Sequence, residues 1–350
     1  MSPLLEVEDL HVAFGQTSLA DMVRRRRRLV HAENGVSLTI ERGETLGLVG
    51  ESGCGKSTLG RALLRLVKAR SGAVRFEGQD VLAMSPEELF RFRRKAQMVF
   101  QDPFSSLNPR LTVGETLAEV FRVHRLCPPA EIGARVRRLV ETVGLSEDHL
   151  QRRPAALSGG QCQRVGIARA LAVGPELVIA DEAVSALDVS IQAQILNLFQ
   201  RLQQEMHLTL LFISHDLGVV RHLCRNVAVM YLGRIVEYGP AEELFRAPRH
   251  PYTRALIEAM PRMAPEAALP LQGLAGEPPS PVQIPRGCAF HPRCPVAMPA
   301  CRTDPPPEPH RVGAGTVWCR LYDSPATLGA VSGPPAAAKA LDSKAAGASR

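Results

Sequence analysis

A glycine-rich segment carries the clearest chemistry in this sequence. Residues 45–59, TLGLVGESGCGKSTL, place Gly50-x4-Gly55-Lys56-Ser57 after a short apolar run and before a helical pattern, which continues through the apolar residues 59, 63, 66 and 67. A glycine loop between a strand and a helix points successive N–H groups inward and adds the positive end of the helix dipole. We therefore predict a polyphosphate site, in which Lys56 reaches the terminal phosphates and the Ser57 hydroxyl ligates Mg²⁺. A glycine turn that binds nothing is the alternative.

The nucleotide contacts predicted in this loop are contiguous. They are Gly50, Glu51, Ser52, Gly53, Cys54, Gly55, Lys56, Ser57 and Thr58. Leu4 to Phe14 alternates like an edge strand, and a second strand is predicted from Val36 to Ile40. Because aromatic residues are scarce there, Phe14 is the candidate for stacking on a base, with an ordinary strand aromatic as the alternative.

A second segment also suits phosphate. Residues 157–161 read LSGGQ and precede another helical pattern. Ser158 suits a helix start, and Gly159 and Gly160 allow close approach of the backbone. We predict that Ser158, Gly159, Gly160 and Gln161 bind nucleotide, and two such sites in one chain require an explanation.

Polar side chains follow three predicted buried strands. Asp181 and Glu182 end the strand 177–180, His215 follows the strand 208–213, and Gln101 follows the strand 96–100. Ligands of open α/β sheets lie at the carboxyl ends of such strands. We predict that Asp181 holds Mg²⁺, that Glu182 polarises an attacking water, that Gln101 reaches the metal or its water, and that His215 touches a γ-phosphate.

Composition restricts the class of protein. The chain has 350 residues, 45% of them hydrophobic, so we expect one large domain with an appendage. The net charge of +7 invites a nucleic-acid partner, but with 5% aromatic residues no stacking platform is apparent, and we predict none. No apolar run approaches the roughly 18 residues of a membrane span, and a cytosolic chain is the default.

Arg24 to Arg28 are five consecutive arginines. We interpret this run as a solvated loop or as a site for anionic lipid or an acidic partner.

In this order the motifs resemble the ATP-binding subunit of an ATP-binding-cassette (ABC) transporter, over about residues 4–245. They correspond to Walker A at 50–57, the Q-loop at Gln101, the signature at 157–161, Walker B with Asp181 and Glu182, the D-loop at Ser185 to Asp188, and the H-loop at His215. The resemblance implies an α/β P-loop NTPase fold with a mixed sheet core, an antiparallel β edge and a helical signature subdomain at about 105–160. It also implies a head-to-tail dimer, in which each ATP lies between one chain's Walker A and the other's signature, and it implies that Asp188 of the D-loop contacts nucleotide. That arrangement explains the second phosphate site.

The resemblance is narrower still. GESGCGKSTLGRALLRL, VFQDPFSSLNPR and DEAVSALDVSIQAQILNL are similar to the second ATPase subunit of dipeptide and oligopeptide importers, a group that includes nickel importers. It implies a second homologous ATPase subunit, two membrane-spanning permease subunits and an external solute-binding protein, and a place at the cytoplasmic face of the membrane. A soluble ABC ATPase acting on nucleic acid or ribosomes, and a nucleotide-binding regulator, are the alternatives.

Four cysteines crowd the C-terminal region. Cys288, Cys294, Cys301 and Cys319 are spaced to suit a [4Fe-4S] cluster, with zinc or unligated thiols as alternatives. The importer resemblance extends to this segment and includes members that carry such a cluster. We expect residues 1–247 to form the nucleotide-binding domain, 248–323 the small cysteine-containing extension, and 324–350 a disordered tail.

Overall fold

A computed structural model describes residues 3–16, 28–260 and 276–323. The strands are β1 (Leu5–Gln16), β2 (Arg28–Ile40), β3 (Thr45–Val49), β4 (Ser71–Phe76), β5 (Gln79–Asp80), β6 (Ala96–Val99), β7 (Leu177–Asp181), β8 (Thr209–Ser214), β9 (Asn226–Tyr231), β10 (Arg234–Pro240), β11 (Pro309–Val312) and β12 (Gly315–Trp318). The helices are α1 (Lys56–Leu63), α2 (Pro86–Lys95), α3 (Val113–His124), α4 (Ile132–Thr142), α5 (Gly159–Leu171), α6 (Val189–Met206), α7 (Leu217–Leu223), α8 (Ala241–Arg246) and α9 (Pro251–Glu258).

The strands form two sheets. A small antiparallel sheet has the order β2-β1-β4-β5, and a larger one has the order β11-β12-β10-β9-β3-β8-β7-β6. Strands β9, β3, β8, β7 and β6 are parallel, whereas β10, β12 and β11 continue the sheet in antiparallel pairing. The predicted α/β fold with a mixed core and an antiparallel edge is confirmed.

The central strands are covered on both faces. Every residue of β3, β7 and β8 is buried. Along β8, Leu210 and Phe212 belong to one apolar core while Leu211 and Ile213 belong to the other. Parallel strands covered on both sides read as continuous apolar runs, which is why the sequence pattern located them.

The region between the Q-loop and the signature is helical, as predicted. It contains α3, α4 and short 3₁₀ turns, with no strand among residues 113–157. Helix α3 begins with a capping box, because Thr112 and Glu115 bond each other's backbone N–H groups.

Two sequence-based expectations about boundaries were wrong. Strand β2 begins at Arg28 rather than near Val36, because it pairs with β1 along its whole length. The arginine run therefore leads directly into β2, although residues 24–27 lie outside the described part of the chain. Helix α1 ends at Leu63 rather than continuing through the apolar residues at 66 and 67, since Arg65 adopts a left-handed backbone with φ of 51°.

The cysteine-containing segment joins the main sheet. Strand β12 pairs with β10, with Glu237 opposite Val317, and β11 pairs with β12. The domain boundary predicted after residue 247 stays a prediction. The tail at 324–350, predicted to be disordered, lies outside the described residues. Within the described ranges, no helix combines the length and apolar character needed to cross a membrane.

Candidate nucleotide-binding site

Sheet topology brings the predicted catalytic residues to one edge. The glycine loop follows β3, His215 follows β8, Asp181 ends β7 and Gln101 comes shortly after β6. These strands are neighbours in the order β3-β8-β7-β6 and run parallel, so their carboxyl ends meet. An α/β sheet binds ligands at this edge.

The glycine loop is folded around the Lys56 ammonium. Lys56 is 4% exposed, and its Nζ donates hydrogen bonds to the carbonyl oxygens of Gly50, at 2.8 Å, and Glu51, at 3.1 Å. The ammonium thus lies inside the loop, where it would meet the terminal phosphates of a nucleotide.

Two glycines of the loop cannot be replaced without strain. Gly50 and Gly55 have φ of 155° and 117°. A side chain at Gly50 would collide with the carbonyl oxygen of Met230. A Cβ at Gly55 would lie 2.6 Å from the carbonyl oxygen of Ala32. The backbone of the loop therefore packs against β2 and β9 as closely as atoms allow.

Ser57 and Asp181 form the predicted magnesium pair. The Ser57 hydroxyl donates to Asp181 Oδ1 at 2.7 Å, and Arg61 Nη2 lies 4.0 Å from Oδ2. Burial raises the pKa of the Asp181 carboxyl, and the Ser57 hydrogen bond and the Arg61 charge oppose that shift. Hydroxyl and carboxylate oxygens are the hard ligands that Mg²⁺ prefers, so this pair fits the ion.

Glu182 is held by the two other predicted catalytic residues. Gln101 Nε2 donates to its Oε2 at 2.9 Å, and His215 Nδ1 lies 3.4 Å from the same oxygen. The backbone of Glu182 is left-handed, with φ of 45°, and its N–H donates to the carbonyl of Ile213 at 3.0 Å. Left-handed backbone is uncommon at a non-glycine residue, and here it occurs at the predicted catalytic carboxylate. Gln101, predicted to reach the metal, here uses its amide nitrogen on Glu182.

The signature residues lie at the start of α5. Ser158 is its N-cap, and Ser158 and Gln161 form a capping box with hydrogen bonds of 2.9 and 3.3 Å. Gln161 Nε2 also lies 3.1 Å from His149 Nε2, and a Cβ at Gly160 would be 2.5 Å from Ile191 Cγ2 on α6. These contacts face α6 and the helical region.

Two further predicted contacts are exposed. Phe14 is 41% exposed and lies opposite Val30 in the β1–β2 pair. Asp188 is the N-cap of α6 and is exposed, with no side-chain capping bond. Both are placed where a ligand or a partner chain could meet them.

The four C-terminal cysteines occupy one region. The Cys288 N–H donates to the Cys301 carbonyl at 3.0 Å, and Cys301 and Cys319 are each 7% exposed. Burial raises the pKa of Cys288 to about 11 and of Cys319 to about 12, and the neighbouring thiols act in the same direction. Among residues 3–16, 28–260 and 276–323, however, no three His, Cys, Asp or Glu side chains are arranged as metal ligands.

Sequence reasoning missed two residues that contact the glycine loop. The Glu51 N–H donates to the hydroxyl of Tyr252 at 2.9 Å, and the Arg293 guanidinium pairs with the Glu51 carboxylate. Tyr252 is the second residue of α9, and Arg293 lies between two of the C-terminal cysteines, Cys288 and Cys294. A local pattern offers no signal for either contact, because the partners are about 200 residues or more apart in the chain.

Comparison with known families agrees with this geometry. Residues 33–185 match the family described as "ABC transporter", and residues 236–301 match "Oligopeptide/dipeptide transporter, C-terminal region".

Similar curated proteins cover most of the chain. A probable peptide ABC transporter ATP-binding protein of Sinorhizobium fredii is 51% identical over 89% of this chain and 88% of its own length. The oligopeptide transport ATP-binding protein AppF of Bacillus subtilis is 48% identical over 91% of this chain and 97% of its own. The protein OppF of Escherichia coli, described in the same words, is 50% identical over 85% and 90%.

Solved structures show the same fold. The dimeric ATP-binding cassette MJ0796, in a post-hydrolysis state bound to ADP and Pi, superposes with a TM-score of 0.60 at 27% identity, covering 68% of this chain and 98% of that one. CbiO1 of Clostridium perfringens, part of an ABC transporter complex, gives 0.60 at 30% identity, covering 70% and 91%.

Proposed function

This chain belongs to the family of ATP-binding subunits of oligopeptide and dipeptide ABC transporters, and from that premise we propose that it hydrolyses ATP to power peptide import. The observation that supports ATP hydrolysis is that Gln101 and His215 both contact the same carboxylate oxygen of Glu182. Glu182 directly follows Asp181, which pairs with Ser57. Such a constellation holds a base beside the site where a γ-phosphate would lie.

We assign each residue a role that its placement supports. Lys56 Nζ, which has three N–H groups, bonds the terminal phosphates of ATP, whose other oxygens meet the N–H groups of the loop. Ser57 and Asp181 would hold Mg²⁺, which would supply positive charge beside the terminal phosphates. Glu182 accepts a proton from water as the water oxygen attacks the γ-phosphorus and the bond to the bridging oxygen breaks, which yields ADP and phosphate. His215 faces the same phosphate.

The position of the signature residues supports a site that is shared between two chains. The hydrogen bonds of Ser158 and Gln161 are made with α5 and His149, on the helical region. We propose that they contact ATP bound to a second, homologous ATPase subunit, with Asp188 at the same interface. The heterodimer binds two permease subunits at the cytoplasmic face of the membrane, where the Gln101 loop and the helical region transmit motion, and an external protein supplies the solute.

Substitution of Glu182 tests the catalytic proposal. In Glu182→Gln the side chain keeps its size but cannot accept a proton, so turnover should fall by about 10²-fold or more while ATP binding survives. Phosphate release and nucleotide affinity are measured on the same preparation. Glu205→Gln, an exposed glutamate at the end of α6, is the matched control and should match wild type. Unchanged turnover in Glu182→Gln would refute the assignment.

Co-purification from the native cell tests the assembly. Recovery of a second ATPase subunit with two membrane proteins, together with peptide uptake that depends on this chain, is the expected result. Ribosomal or nucleic-acid partners, or uptake of nickel in place of peptide, would place the same cassette in another process.

We also propose that Cys288, Cys294, Cys301 and Cys319 hold a [4Fe-4S] cluster. The support is the four thiol donors within one region, close enough for each to influence the pKa of Cys319. Ligation requires the thiolates to move, because in the described residues they are not arranged as a ligand set. Anaerobic purification with iron and sulfide determination should give four of each per chain. Zinc at one equivalent, or no metal, would contradict the proposal.

A further inference from the structure

Glu51 of the glycine loop is held at two points by the C-terminal part of the chain. Its backbone N–H donates to the Tyr252 hydroxyl at 2.9 Å. Its carboxylate is bound by Arg293 in a two-point pair, with Nη1 to Oε2 at 2.7 Å and Nη2 to Oε1 at 3.0 Å. A bidentate pair fixes orientation as well as distance.

The two holding residues are themselves firmly placed. The Arg293 side chain is 5% exposed, whereas that of Glu51 is 26% exposed. The guanidinium lies 6.0 Å from the ring centroid of Tyr231, the last residue of β9. The Tyr231 ring contacts both Tyr252, at 4.7 Å between centroids, and Phe290, at 5.2 Å. An aromatic cluster thus joins the central sheet, α9 and the cysteine-containing segment behind the loop.

Glu51 occupies a critical place in the loop. It follows Gly50, and the carbonyls of both residues accept hydrogen bonds from Lys56 Nζ. The phosphate oxygens of ATP would exchange with these two carbonyls as acceptors for the three N–H groups of the ammonium, which weakens the bonds that order the loop. The contacts from Tyr252 and Arg293 do not involve Lys56 and are independent of that exchange.

We infer that Arg293 and Tyr252 are positioning residues for ATP, which hold the phosphate-binding loop in its binding conformation through Glu51. The inference rests on the proposed ATPase function. A loop ordered in advance loses less conformational entropy when the nucleotide binds. Loss of either contact should therefore weaken ATP binding more than it slows the chemical step, because neither residue touches the γ-phosphate or the base.

Three conservative variants of the full chain isolate the contacts. Tyr252→Phe removes only the accepting hydroxyl and keeps the ring in the cluster. Arg293→Lys keeps the charge but cannot make two parallel bonds, and Glu51→Gln weakens the pair from the other side. Arg302→Gln, an exposed arginine on the same segment, is the matched control.

The expected result is a KM for ATP raised by about fivefold or more in each variant, with kcat changed by less than about twofold and the control unchanged. Affinity for a fluorescent ATP analogue should fall by the same factor. The double variant Glu51→Gln with Arg293→Lys should lose less ATP affinity than the product of the two single-variant factors. Both substitutions disrupt the same ion pair, so their effects are not independent.

Two outcomes would overturn the inference. Variants with wild-type KM and affinity show that the contacts do not position the loop. Variants with a lowered melting temperature but unchanged KM show that the contacts only stabilise the fold. Wild-type protein that hydrolyses no ATP with its partners would instead refute the proposed function, so the two failures are distinguishable.

Discussion

Glu33 is a buried carboxyl that the catalytic scheme does not use. It lies on β2, is 1% exposed, and among the described residues neither of its oxygens has a hydrogen-bond partner. Its Oε1 would lie 2.9 Å from a Cβ at Gly55, so it is directly behind the phosphate-binding loop. Burial raises the pKa of the Glu33 carboxyl well above its ordinary value, so the folded protein keeps this proton to a higher pH than the unfolded chain does.

This carboxyl makes stability depend on pH with a definite sign. Below the unfolded-state pKa, about 4.3, both states hold the proton. Above it the unfolded chain releases the proton while the folded chain keeps it, so the contribution of Glu33 to stability falls by up to about 1.4 kcal/mol per pH unit until the folded pKa is reached.

Glu33→Gln should remove that slope. The amide has nearly the same shape and does not titrate, so the stability of Glu33→Gln relative to wild type should increase from pH 5 to pH 8. Denaturant unfolding of both proteins at the two pH values measures the difference. Glu205→Gln, exposed on α6, provides the comparison. Parallel pH profiles for Glu33→Gln and wild type would show that Glu33 titrates normally.

At the level of elements, three of the described helices begin with a capping box. Capping boxes are formed by Ser85 with Glu88 at α2, Thr112 with Glu115 at α3, and Ser158 with Gln161 at α5. In each, a hydroxyl accepts from the third helical N–H while the longer side chain accepts from the cap N–H. Only the box at α5 coincides with the signature, which allows a structural effect to be separated from a catalytic one.

Ser158→Ala and Ser85→Ala should each lose about 1 kcal/mol of stability, because each removes one cap. Only Ser158→Ala should also lower ATP turnover, and only when the partner ATPase is present. Unfolding free energies and phosphate release by the assembled transporter are compared for the two variants. An equal loss of turnover in both would mean that the cap acts through stability alone.

At the level of the whole molecule, the large sheet extends from the catalytic edge to the C-terminal hairpin. Strand β12 pairs with β10, and Val317 is fully buried with Leu321 and Cys319 beside it. The same C-terminal region supplies Arg293, which reaches back to the glycine loop. Continuous sheet and shared contacts favour one cooperative unit.

Val317→Ala should therefore destabilise the whole chain by about 1–3 kcal/mol, through lost burial and the cavity left behind. The midpoint of denaturant unfolding should shift as a single transition that includes loss of nucleotide binding. Val296→Ala, on the same segment but 36% exposed, should have little effect. A separate early transition in Val317→Ala, with nucleotide binding retained, would show that the hairpin unfolds independently.

The sequence by itself determined the local chemistry of this protein. Gly50 to Ser57, the signature at 157–161 and the Asp181-Glu182 pair are each contiguous, so the backbone conformation and capping that they need are set by near neighbours. The buried strands could also be predicted from the sequence, because strands covered on both faces are continuously apolar. Strand boundaries that depend on pairing with another strand could not be predicted in this way, as the start of β2 at Arg28 shows.

Only the tertiary structure decided which side chains meet. Gln101, Glu182 and His215 converge because β6, β7 and β8 are adjacent and parallel, and strand order is not written in any one segment. The pair between Glu51 and Arg293 joins residues 242 positions apart. An arginine in a proline- and cysteine-containing loop has no periodicity or motif that names its partner, so the contact follows only from the packing of the whole chain.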